Sequence, residues 1–160
     1  MEIEVEVYGV VLDPTSNTPV IILKDELSNR VLPIWVGIFE ANAIAMKLEN
    51  VSSPRPMTHD LMASLISQMG GKVEKVVVDD LREGTFYGKI YIRRGDEVLK
   101  IDSRPSDAIA LAVRVGAPIF VEESVFEEAS ILPVPESEGE IDLKDWLEKL
   151  SPEDFGKYKM

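Results

Sequence analysis

Slid along itself by 67 residues without a gap, the sequence repeats. Val10, Val11, Asp13, Thr18, Val31, Leu32 and Ile34 fall on Val77, Val78, Asp80, Thr85, Val98, Leu99 and Ile101, seven identities within 25 positions. With a two-residue shift, Ala43-Ile44-Ala45-Met46 then falls on Ala108-Ile109-Ala110-Leu111. A chain that repeats a supersecondary unit must pack the copies together, because one copy cannot bury its apolar face alone.

Periodicity defines the unit. Glu-Ile-Glu-Val-Glu-Val at 2–7 alternates strictly, which predicts a strand with one wet acidic face and one buried face. PVIILK (19–24) and RVLPIWV (30–36) predict two more strands joined by the turn-like DELSN, and EANAIAMKLEN (40–50) predicts a helix. In the second copy, KVEKVVVDD (72–80), FYGKIYIRR (86–94) and EVLKID (97–102) predict strands. The run 106–115 predicts a helix stopped by Gly116. Between the copies, THDLMASLISQMGG (58–71) predicts an extra helix, with Thr58 as N-cap, Leu61, Leu65 and Met69 on one stripe, and Gly70-Gly71 as its stop. PIFV (118–121) reads as a short strand. Hairpin-sized connections imply antiparallel pairing. The expected fold is α+β: two similar strand–strand–strand–helix halves forming a mainly antiparallel sheet or barrel-like core with packed helices. The expected domain is 1–132, with the repeat at about 5–50 and 72–115. PVPESEGE (133–140) reads as a polar linker. Residues 141–160 read as an amphipathic helix, with Leu143, Trp146, Leu147 and Leu150 on one face, and a tail.

Composition excludes several function classes. With no cysteine and a single histidine, His59, the chain lacks disulfides, thiol catalysis and the two-histidine and Cys/His zinc motifs. No apolar run approaches the roughly 20 residues of a membrane span. The acidic N-terminus is no signal peptide, so the expected compartment is the cytoplasm. A net charge of −12 argues against broad electrostatic capture of nucleic acid. There is no P-loop, GxGxxG or GxSxG motif, and no basic patch interleaved with aromatics.

What remains is the joint between the last strand and the helix of each copy. In the first copy it is WVGIFEAN, and in the second DSRPSD. The scaffold parts on either side match and the joints differ. Both stand at helix N-termini, where backbone N–H groups favour negative charge. Asp102, Arg104 and Asp107 can therefore be caps and ion-pair partners. Alternatively Asp102, Asp107 and Glu40 face one pocket, where oxygen ligands suit Mg²⁺ or Mn²⁺ and Arg104 holds a phosphate. Two carboxylates 4 Å apart repel by about 4 kcal/mol at an effective dielectric near 20, so such a cluster needs a cation or a raised pKa. His59 and Asp60 open the extra helix, either as first-turn residues or as a proton-moving pair.

SNTPVIILK (16–24), LPIWVGIFEANAIA (32–45), RPMTHDL (55–61), DSRPSDAIALAVR (102–114) and PIFV (118–121) together resemble the bifunctional nuclease family, as does the tail WLEKLSPEDF (146–155). The resemblance implies an α+β domain with a duplicated unit, homo-oligomers with a dimer favoured, and DNase and RNase activity. The matching polar positions are Glu40, His59, Asp60, Asp102, Arg104 and Asp107. The sequence thus leads to a divalent-metal-dependent phosphodiesterase with His59, Asp60, Asp102, Arg104 and Asp107 as catalytic residues and Glu40, Asp102 and Asp107 as metal ligands. No organic cofactor or membrane is expected. The alternative is a non-catalytic homo-oligomeric binding or regulatory domain in which the same residues cap helices and fasten the halves.

Overall fold

The structure, a computed structural model, describes residues 1–130. The expected linker at 133–140 and helix at 141–160 lie outside the described residues. The chain runs β1 (Glu2–Leu12), β2 (Pro19–Asp25), β3 (Val31–Trp35), α1 (Ile38–Leu48), α2 (Thr58–Gln68), β4 (Lys72–Arg82), β5 (Thr85–Arg94), β6 (Glu97–Ser103), α3 (Pro105–Val115), β7 (Ile119–Glu122) and α4 (Glu123–Ala129). The short α4, ESVFEEA, has no counterpart in the sequence reading.

The fold is α+β. Seven strands form one sheet in the order β3-β2-β1-β7-β4-β5-β6. All neighbours are antiparallel except β4 and β7. The two meanders of the repeat thus flank β7. The sheet is open, with β3 and β6 at its edges, so the barrel alternative does not hold. Among the described residues no helix is long and apolar enough to cross a membrane.

The repeat is more regular than the sequence alignment suggested. Helices α1 (38–48) and α3 (105–115) are offset by 67 residues, the same spacing as the strands. The two-residue shift disappears, and Ala41, Ala43 and Ala45 fall on Ala108, Ala110 and Ala112.

Packing follows strand alternation. Strand β2 is apolar on both faces: Ile21 and Leu23 join the main core, while Val20 and Ile22 join Val31 and Trp35 in a second cluster. The Trp35 indole N–H, buried there, donates to Asp13 at 2.9 Å. The main core packs Ile90 and Val76 against Ile109, Leu111 and Ile44. Gly88 positions the start of α3. A Cβ there would come within 3.1 Å of the Ser103 carbonyl oxygen and 3.4 Å of Pro105.

Helix α2 turns differently from expectation. Thr58 is its first residue, not its cap, and the Met57 N–H is satisfied by Asp60 Oδ2 at 3.0 Å. Leu61, Leu65 and Met69 do form a stripe, but an exposed one. Met62, Ala63 and Ile66 pack on the core instead, with His59 buried on the same side. The helix carries two apolar stripes, and the deciding residue is His59, which is tied to α3.

Candidate functional site

Glu40 and Asp107 each occupy the third residue of equivalent helices, α1 and α3. The repeat therefore supplies the same carboxylate position twice. The preceding joints differ: Gly37 stands before α1 where Arg104 stands before α3. A Cβ at Gly37 would lie 2.4 Å from Glu40 Oε2, so glycine lets the Glu40 carboxylate fold back over its helix start. Pro105 at the first helical position loses no hydrogen bond there, since that N–H has no partner inside the helix.

Arg104 serves both carboxylates. Its Nη2 donates to Glu40 Oε1 at 2.8 Å, and its Nε donates to Asp107 Oδ2 at 2.9 Å. The other oxygen of Asp107 lies 2.9 Å from His59 Nε2. A continuous chain, Glu40–Arg104–Asp107–His59, therefore crosses the first turns of α1, α3 and α2 and joins the two halves. Its inner end is buried, with the His59 side chain 8% exposed, and its outer end open, with Arg104 at 56%. Asp107 first, and then Glu40, hold the Arg104 pKa above its ordinary value. The first turns of three helices are joined here, and helix N-termini favour negative charge.

Asp60 is not the partner of His59. Its Oδ1 accepts from Arg114 Nε at 2.8 Å. The Met57 N–H, and after it Arg114, hold the Asp60 carboxyl below the usual carboxylate range. Arg114 also donates to the carbonyls of Ala110 (3.0 Å) and Ala43 (3.1 Å), so it ties α1, α2 and α3 together. Sequence reasoning passed over Arg114. Its signal was a lone cation in the apolar run AIALAVRV, 67 residues after Lys47. Asp60, Arg114 and Lys47 line a cleft of about 500 Å³ between α2, the end of α1 and residues 51–57. Glu40, His59, Arg104 and Asp107 do not line it.

Asp102 stands apart. Strand alternation decides this: Ile101 pairs with Ile90 on the helix-covered face, so Asp102 pairs with Lys89 on the other face. Asp102 accepts from Lys89 Nζ at 3.1 Å, and Lys89 lies 3.8 Å from Asp79 Oδ2. Glu40, Asp102 and Asp107 therefore do not surround one ion. Among the described residues no group of three or more His, Asp or Glu could hold a metal.

Residues 21–133 match the family model described as the bifunctional nuclease domain. The chain is 41% identical to an uncharacterized protein of Mycobacterium tuberculosis over 162 residues, 95% of this chain and 97% of that one. It is 31% identical to bifunctional nuclease 2 of Oryza sativa subsp. japonica over 111 residues, 67% of this chain and 34% of that one. It is 28% identical to bifunctional nuclease 1 of Arabidopsis thaliana over 134 residues, 76% of this chain and 41% of that one. The chain thus aligns with well under half the length of these plant relatives.

Proposed function

Because the chain belongs to the bifunctional nuclease domain family, we propose that it hydrolyses phosphodiester bonds in DNA and RNA, with the Glu40–Arg104–Asp107–His59 chain as its catalytic centre. The observation that carries this reading is Asp107, which binds a buried histidine through one oxygen and an open arginine through the other. Arg104 is the member that reaches solvent, and its guanidinium suits a phosphate. The converging helix starts add dipoles of the same sign. Asp107 orients the His59 ring. With Nε2–H donated to Asp107, the lone pair stands on Nδ1 and leaves His59 able to act as a base; the ring is 8% exposed, so the reading requires water to reach it in the substrate complex. Asp107 here replaces Asp60 as the partner of His59, and Asp60 with Arg114 holds the three helices in place.

Mg²⁺ or Mn²⁺ does not fit this arrangement as a resident ion. Arg104 already bridges Glu40 and Asp107, and Lys89 holds Asp102. The proposal places the activity in the cytoplasm, in a homo-oligomer.

A second reading, a non-catalytic binding or regulatory domain, rests on a specific observation. Arg104 is shared by two carboxylates, in a chain of net charge −12, so the network also suffices as a fastener between halves. The experiment is a cleavage assay on single- and double-stranded DNA and RNA with Mg²⁺, Mn²⁺ or EDTA, comparing wild type with Asp107→Asn and Arg104→Gln. Activity that co-purifies with folded wild type and is lost in both variants supports the catalytic reading. Activity unchanged in both folded variants, or absent from wild type under every condition, favours the fastener.

A further inference from the structure

Among the described residues the outer edge of β6 is free: no strand pairs with it, while the opposite edge strand, β3, is buried along its whole length. An uncovered edge offers unpaired backbone N–H and C=O groups to another strand. The helix-covered face of the sheet also continues past its covering. Leu99 and Ile101 lie on the same face as Ile92 and Ile90, and Ile101 is exposed. Helix α2 overlies this end, since Ile66 and Ile92 meet at Gly71. Its stripe of Leu61, Leu65 and Met69 is exposed, and none of the three lines the cleft against α1.

We propose that a second copy of this chain adds edge to edge at β6, antiparallel across a two-fold axis, with Ile101 opposite Ile101 of the other copy. Charge selects this register. Antiparallel pairing that keeps the helices of both copies on one face brings together residues of equal parity. Centred on Lys100, it sets two lysines face to face. Centred on Leu99, it sets Val98 against Lys100 and Glu97 against Ile101. Centred on Ile101, it sets Lys100 against Asp102 twice, once on each side of the axis, and Leu99 against Ser103. Opposite charges across a pair stabilise it and like charges oppose it. The pairing would join two sheets into one of 14 strands, and it does not depend on catalysis.

Analytical ultracentrifugation of the full chain tests this. Wild type is expected to dimerise at micromolar concentration. Lys100→Glu sets two acids against each other at both pairs and should weaken the dimer about tenfold or more. Asp102→Asn in the Lys100→Glu background removes one acid from each pair and should recover part of the loss. Ile101→Asp, which places like charges on the axis, should abolish the dimer. These side chains are exposed, so folding is expected to survive. Hydrogen exchange adds a second readout: amide protection in 97–103 should rise with protein concentration. A wild type that stays monomeric, or an oligomer indifferent to Lys100→Glu and Ile101→Asp, overturns the proposal. Protection of 97–103 that does not vary with concentration would mean that residues 131–160 cover the edge, and overturns it equally.

Discussion

Arg104→Met isolates the clasp between the halves. The methionine keeps most of the aliphatic stem and removes the charge. Two charge-assisted hydrogen bonds disappear, at 2.8 Å to Glu40 and 2.9 Å to Asp107. The carboxylates stay behind, and they are not well solvated: the Glu40 side chain is only 16% exposed and that of Asp107 25%. Both oxygens contact Nη2 at 2.8 Å, so they lie no more than about 5.6 Å apart. At that separation their repulsion is about 3 kcal/mol at an effective dielectric near 20, and less near open solvent. Arg104 is itself more than half exposed, which keeps its pairs toward the weak end of the range. Together these place the cost at about 2 kcal/mol, or a fall in Tm of about 4–8 °C for a chain of this size. Glu40→Gln in the Arg104→Met background removes one of the two repelling charges and should return about 1 kcal/mol, whereas Glu40→Gln alone should destabilise. The assay is a double-mutant cycle from urea melts followed by circular dichroism, at low and high salt. A change for Arg104→Met within about 0.5 kcal/mol, or strictly additive effects at the two positions, would refute the clasp.

Gly37→Ala should push the Glu40 carboxylate off its helix start and reproduce much of the Glu40→Gln loss, about 1 kcal/mol by urea melt. Arg114→Met leaves Asp60 and two carbonyls without their cation, which should cost about 2–3 kcal/mol at neutral pH. Asp60 has a depressed folded pKa, so its share of stability is present above its unfolded value and lost as pH falls through the folded one; the gap between wild type and Arg114→Met should narrow in acid. Asp79 is the opposite case. Burial raises its carboxyl and its Oδ1 has no hydrogen-bond partner, so its ionisation opposes folding as pH rises through the folded pKa. Asp79→Asn should therefore stabilise by about 1 kcal/mol at pH 7, with the gain vanishing in acid, as thermal melts across pH would show.

Strand positions were legible because alternation leaves few choices. Val20-Ile21-Ile22-Leu23 has no polar face and must be buried on both sides, which is where β2 lies. The repeat pointed to both joints, but the two-residue shift of its helix match set Asn42, not Glu40, on Asp107; only the 67-residue offset of α1 and α3 makes Glu40 and Asp107 equivalent. The error over Asp102 is equally physical. One step along a strand reverses the face, and Asp102 at the end of β6 takes the face away from the helices. The partner of His59 was illegible for another reason. His59 and Asp107 are 48 residues apart, and nothing local to either encodes how α2 crosses α3. The buried stripe of α2 was ambiguous because two apolar stripes compete on one helix, and a tertiary contact chooses between them.

The measurement that bears most directly on the account is the single-turnover cleavage rate of His59→Gln against wild type on one nucleic-acid substrate, with matched folding by circular dichroism. Glutamine can still reach Asp107 but cannot take a proton at neutral pH. A loss of about a hundredfold or more is predicted for a residue acting in general acid–base catalysis. A folded His59→Gln protein that cleaves at the wild-type rate would contradict the assignment and leave the Glu40–Arg104–Asp107–His59 chain as a fastener alone.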